Sequence, residues 1–207
     1  LGLGLFAITG AQIAEERRLP AVIVTLVGTM TGAAGGLMRD VFAVTHVTRV
    51  IDGVTCTEVH DSVFTDGVLT EDTLDWFAQD KDGNVWYFGE NTAELEDGLI
   101  STIDGTFMAG VEGDKPGIIM KAQPAVGDFY RQEFSLANAE DEAETLGLNA
   151  SVTVPYGSFQ HCLRSGETTP LEPDALETKF YASGVGNVLT VDEETGDRCE
   201  LVQIITE

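Results

Sequence analysis

The chain has 207 residues, enough for one sizeable domain or two small ones, and a formal net charge of −24. Residues 1–43 carry three basic and three acidic side chains, so the whole excess lies beyond them. Such a surface repels phosphate backbones and anionic headgroups, which excludes nucleic-acid binding. Cys56, Cys162 and Cys199 show irregular spacing and no CxxC pair, which excludes a disulfide framework and a zinc knuckle. One disulfide, Cys56–Cys162, and three buried thiols stay open as alternatives.

In chain order, Leu1–Ala14 is apolar and glycine-rich but short of a membrane span. Glu15 to Arg18 form a polar loop, and Pro20 suits the first turn of a helix. Leu19–Met38 then runs without a charge, and about 20 such residues cross the ~30 Å hydrocarbon core as a helix. Gly28, Gly32, Gly35 and Gly36 fall on one face of that helix and would allow close helix approach. The pair of stretches therefore predicts a helical membrane hairpin over residues 1–42, with a buried helix of a soluble protein as the alternative. No secretory leader is legible before it, and the opening at Leu1 reads as part of a longer frame.

The segments GLGLFAITGAQ, LPAVIVTLVGTMTG and AAGGLMRDV resemble one repeat of the trimeric intracellular cation (TRIC) channel family and its bacterial glycine-transporter-like relatives. That resemblance implies helix kinks at Gly32, Gly35 and Gly36, followed by the charged pair Arg39-Asp40. The chain departs from it at Gln12-Ile13, where many relatives have Gln-Lys, and most of the helices of such a channel have no counterpart here.

Between Val41 and Thr48 the glycine-rich pattern gives way to β-branched alternation with no linker. Asp52-Gly53, Asp66-Gly67, Asp82-Gly83 and Asp97-Gly98 then punctuate apolar runs, the signature of tight hairpins. Ala139–Leu148 suits a helix by composition, yet its alternation leans towards a strand running on to Val154. Further runs end at Cys199–Ile205. The prediction is a mainly β fold, an antiparallel meander forming a strongly curved sheet or open barrel over residues 45–207.

This second part resembles a group of uncharacterised extracytoplasmic bacterial domains, carried by DWFAQDKDGNVWYFGE, GIIMKAQPAVGDFYRQEF, SVTVPYGSFQHCL and TPLEPDALETKFYASGVGNVLTV. The resemblance implies an envelope location and no particular activity. Relatives have a further leading strand where this chain has its apolar segment, and the absent linker agrees with that. A mis-joined reading frame and a genuine membrane-anchored protein are both compatible with it.

Few constellations could carry chemistry. Asp80, Asp82 and Asn84 stand at i, i+2 and i+4, the opening of a calcium loop. The loop fails at its sixth and twelfth positions, Val85 and Asn91, so a hairpin turn is the favoured reading. Glu90, Glu94, Glu96 and Asp97 read as a solvated hairpin face or a weak divalent-cation site. His60-Asp61 and His161-Cys162 could meet across strands, but no metal-ligand spacing joins them. Trp76, Trp86 and Phe88 are core by default and a ligand groove otherwise.

The expected function is non-enzymatic: an extracytoplasmic binding or structural domain at the cell envelope, anchored through residues 1–40. No catalytic residue and no cofactor is assigned, beyond weak divalent-cation binding. A transport role through the TRIC-like segment is the alternative, and a secreted hydrolase comes third.

Overall fold

The computed structural model describes residues 24–31 and 37–206, with side chains from 41 to 204. Its strands are β1 (Val24–Thr31), β2 (Leu37–Ile51), β3 (Val54–Thr65), β4 (Val68–Gln79), β5 (Val85–Glu96), β6 (Leu99–Thr102), β7 (Phe107–Met108) and β8 (Lys115–Met120). There follow β9 (Phe129–Arg131), β10 (Glu133–Phe134), β11 (Glu142–Val154), β12 (Gly157–Thr169), β13 (Glu172–Ala182), β14 (Gly186–Asp192) and β15 (Arg198–Thr206). The described residues contain no helix, and all the pairings are antiparallel.

Three of the expected hairpins form as the dipeptides require. Asp52-Gly53, Asp66-Gly67 and Asp97-Gly98 each have positive φ at both residues, the backbone of a two-residue turn that follows strand twist. The ambiguous stretch after Ala139 resolves as β11, in line with its alternation.

The start of the chain departs from expectation. Where the predicted membrane hairpin is described it is extended: Val24–Thr31 pairs with β15 and β2, and β2 pairs with β3. Val24, Thr25, Val27, Thr29 and Thr31 are β-branched, and a ladder on both sides satisfies their backbone as well as a helix would. The rest of that hairpin, with Gly32, Gly35 and Gly36, lies outside the described residues. Among the described residues no helix is long and apolar enough to cross a membrane. The composition break at Val41–Thr48 falls inside β2, and Phe42 and Val44 are buried in the main core. A strand buries every second residue, so a change in average composition need not mark a new structural unit.

The strand order is β10-β8-β5-β4-β3-β2-β1-β15-β14-β13-β12-β11-β9. Its two ends, β9 and β10, are separated in the chain by Gln132 alone. The sheet must therefore curl until both edges meet at one short segment, Phe129–Phe134, referred to below as the strap. The hydrogen-bond ladder is not closed, because β9 pairs with β11 and β10 with β8.

Two apolar clusters follow from the alternation. The larger lies on the inner face and gathers Phe42, Val59, Phe77, Tyr87, Ile119, Leu163, Val188 and Leu201 from strands all round the sheet. The smaller collects Ile51, Cys56, Trp76, Ala78, Phe88 and Ala109. On β4, Phe77 belongs to the first and its neighbours Trp76 and Ala78 to the second, as a period of two dictates.

Two glycines permit the closest approaches. A Cβ on Gly89, whose φ is +143°, would lie 2.4 Å from the carbonyl oxygen of Phe107. A Cβ on Gly117 would lie 2.2 Å from the carbonyl carbon of Gln132, so the strap rests directly on β8.

Candidate functional site

The inner face is not wholly apolar. Asp75 on β4 stands opposite Glu90 on β5, and Thr73 opposite Thr92, with the two threonine hydroxyls 2.5 Å apart. Between the carboxyls sits Tyr87, completely buried, stacked on Phe77 at 4.7 Å and edge-on to Phe107 at 5.4 Å. Its hydroxyl lies 2.5 Å from Asp75 Oδ1 and 2.5 Å from Glu90 Oε2. Burial, then the Asp75 charge, pushes the Glu90 carboxyl up to about 8. Glu133, buried on the strap, is driven well above the usual carboxylate range by burial and by the charges of Asp141 and Glu90.

Across the interior a second buried network has the opposite character. Lys179 Nζ on β13 lies 2.9 Å from Glu167 on β12 and 3.1 Å from Glu177. Glu167 Oε1 also accepts hydrogen bonds from Ser165 (2.8 Å) and Tyr181 (2.7 Å). Burial opposes ionisation of Glu167, yet Lys179 and these donors hold its carboxyl below the ordinary value. Burial likewise opposes the charge on Lys179, and Glu167 and Glu177 overcome it, so the amine is held well above its usual range. Asp141 links the halves: its carbonyl accepts the Gln132 N–H of the strap at 2.7 Å, and its carboxyl feels both Glu133 and Lys179.

Three clefts open around these networks. A groove of about 360 Å³ is walled by Trp86, Pro116, Ile118, Tyr130 and Phe134, with Lys115 and Arg131 at its edge. Lys115 Nζ lies 5.5 Å and Arg131 Cζ 4.9 Å from the Phe134 ring centre. Arg131 is also tied to Glu140 and Glu142 at 3.5 and 3.4 Å. A second cleft, about 290 Å³, has a wall of Val85, Met120, Leu163 and Tyr181 under Gln79, Lys121 and His161. A third, about 400 Å³, is polar and includes Asp141, Glu167, Glu172, Glu177, Lys179 and Asp192.

The suspected cation loop is a turn whose oxygens serve the protein. Asp80 Oδ1 accepts the backbone N–H groups of Asp82 and Asn84, and Oδ2 accepts the Asn84 amide and the Trp86 indole N–H, all at 2.9 Å. These donors, the Trp86 indole first, hold the Asp80 carboxyl down at about 2. Asn84 Oδ1 accepts the Ala122 N–H at 3.0 Å and so pins the turn to the segment after β8. Among the described residues no group of three or more His, Cys, Asp or Glu side chains is placed to hold a metal ion.

The aromatic trio gathers at one apolar cluster, the core arrangement, and does not line a common groove. Trp76 and Phe88 are buried in the smaller cluster, Trp76 donating to Glu58 at 3.2 Å beneath the Arg49 guanidinium. Trp86, half-buried, packs against the same cluster and, among the described residues, also lines a groove. His60 pairs with Asp72 at 2.5 Å on the β3–β4 face, while His161 bonds Asn149 on the β11–β12 hairpin, so the two imidazoles stay apart. Cys56 and Cys162 lie in different clusters as free thiols, which settles the disulfide alternative against that pair.

Glu90 was expected on a solvated hairpin face and is buried instead. The reason is a bulge: Trp76 pairs with Gly89 but Phe77 with Tyr87, so Phe88 is the extra residue. Tyr87 and Glu90, three apart, thereby reach the same face. No alternation rule applied to the sequence predicts that shift.

Residues 1–56, less than half of the chain, match the model of a family described as glycine transporter. Among solved structures, the chain is similar to one described as a "putative lipoprotein" from Parabacteroides distasonis, at 13% identity and a TM-score of 0.46, covering 88% of this chain and 95% of that one. No curated protein matches it.

Proposed function

We propose that this chain is a non-enzymatic binding domain of the bacterial cell envelope, displayed outside the cytoplasm and associated with the membrane. Its ligand lies in the groove beside β8, and the ligand is a ring-bearing molecule such as an envelope glycan. The observation that carries this reading is the groove's make-up. Trp86, Tyr130 and Phe134 form its walls, and the indole N–H of Trp86 is held by Asp80, which fixes the ring as a platform. Lys115 supplies positive charge at the edge of a protein whose net charge is −24, while Arg131 is neutralised by Glu140 and Glu142. Aromatic walls with a few polar groups are the usual form of small-ligand sites.

The test is a fluorescence titration with cell-wall oligosaccharides, since Trp86 is partly exposed and Trp76 buried. Saturable change that disappears in Trp86→Ala supports the reading. A protein that answers none of the neutral or acidic oligosaccharides refutes it. The match of residues 1–56 to a glycine transporter model favours a second reading, transport across the membrane. Glycine flux into vesicles carrying the full chain distinguishes the two.

A further inference from the structure

The cluster beneath the strap holds more acid than its hydrogen bonds can accommodate in ionised form. A tyrosine hydroxyl has one hydrogen, yet Tyr87 Oη lies 2.5 Å from an oxygen of Asp75 and 2.5 Å from an oxygen of Glu90. If both carboxyls were ionised, one of those contacts would set lone pair against lone pair at hydrogen-bond distance. The arrangement is satisfied only when one carboxyl keeps its own proton and donates it to Tyr87, which donates in turn to the other. The register adds to the need, because like charges directly opposite on neighbouring strands repel.

Other elements facing this space bring more acid. Asp61 of β3 is buried opposite Thr73, Glu71 lies further along β4, and β10 contributes Glu133. Asp141, at the entrance to β11, is a further group, on which the Lys179 ammonium acts in the opposite sense to burial. The position of Glu133 gives the cluster a mechanical meaning. It is part of the strap, the one segment on which both edges of the sheet converge, seated on the bare backbone of Gly117.

We propose that the strap Phe129–Phe134 is a proton-operated latch, closed on β8 and β11 beside the acidic cluster while Glu90 and Glu133 hold protons and released when they give them up. Deprotonation places carboxylates of β4, β5 and β10 in one buried space. The element that moves is the strap, because β4 and β5 are paired along their length whereas β9 and β10 are held by a few ladder pairs. Release of the strap parts the two edges and opens the interior beside the groove that Tyr130 and Phe134 line.

The test is hydrogen exchange on the full chain between pH 5 and pH 9, corrected for intrinsic rates, comparing amides of residues 129–134 with those of β12. Strap amides are expected to exchange much faster than those of β12, through an opening of their own, with protection falling by about tenfold per pH unit for each proton released. Glu90→Gln and Glu133→Gln, neutral at every pH, should flatten that dependence. Exchange of the strap and β12 with one common protection, the mark of global unfolding alone, or an unchanged profile in a folded Gln variant, overturns the latch. Should both variants fail to fold, infrared spectra of the unaltered protein decide. A protonated-carboxyl band present at pH 7 and lost by pH 9 supports the latch, and its absence at pH 7 overturns it.

Discussion

Asp75 and Glu90 face each other across the β4–β5 ladder, buried, with the Tyr87 hydroxyl as a common partner at 2.5 Å from each. Two acids placed in this way make the folded state a proton acceptor, and the stability of the whole sheet inherits that property.

The sign is definite. Glu90 rises from an ordinary 4.5 to about 8 on folding, so between these values the folded chain holds a proton that the unfolded chain has lost. Its stabilisation is complete below about pH 4.5 and declines as pH rises towards 8, at roughly 1.4 kcal/mol per unit for one proton. Urea midpoints should therefore fall from pH 5 to pH 8, and Glu90→Gln should make the slope shallower by one proton's contribution. A midpoint that rises over that range contradicts this.

Tyr87→Phe keeps the stacking on Phe77 and removes only the hydroxyl. It leaves two buried carboxyls without their shared partner, an expected loss of about 1–3 kcal/mol. Equilibrium unfolding at pH 7, beside the unaltered protein, measures the difference.

Gly117→Ala tests the seating of the strap. The added Cβ would fall 2.2 Å from backbone of Gln132, which cannot give way without moving Glu133. A cost above about 2 kcal/mol is expected, in the range of overpacked sites. Gly53→Ala is the control, since nothing lies within 4 Å of its Cβ and only the positive φ of +79° opposes it. Thermal melts of the two variants should rank Gly117→Ala as the less stable.

Lys179→Met removes the cation from a buried pair and strands Glu167. An expected loss of about 3–5 kcal/mol follows from leaving a carboxylate uncompensated. The variant should regain stability on acidification, because protonating Glu167 then relieves the burden. Denaturant midpoints at pH 5 and pH 7.5 read this directly.

The orientation of the domain is open to a labelling experiment. Cys56 and Cys162 are buried, so only Cys199 needs replacing before a reporter thiol is installed at exposed Glu194. Reaction of Glu194→Cys with an impermeant reagent in intact cells is expected. Labelling only after lysis would place the domain inside.

Much of the fold was legible because its signals are local. Asp52-Gly53, Asp66-Gly67 and Asp97-Gly98 dictate left-handed turn geometry whatever surrounds them, and alternation between them indicates antiparallel strands. The turn at Asp80 was the favoured reading of its residues, though the partners that fix it were not legible there. Whether three oxygens bind a cation or cap a turn depends on which donors lie within 3 Å, and Trp86 and Ala122 supply them here. The helix expected over Leu19–Met38 rested on a lack of charge, a property that an interior strand shares with a membrane helix, and the described part is strand.

The sequence by itself determined most of the strands and turns from about Thr45 onward, the antiparallel order of neighbours and the acidic character, since each depends on residues a few positions apart. Only the tertiary structure decided that β9 and β10, on either side of Gln132, bring together the two edges of the sheet. Only it decided that a bulge at Phe88 turns Glu90 inward beside Tyr87, and that Glu133 shares their space. Long-range pairing and burial set the charge of a carboxyl by what lies across the sheet from it, and neighbours along the chain carry no record of that.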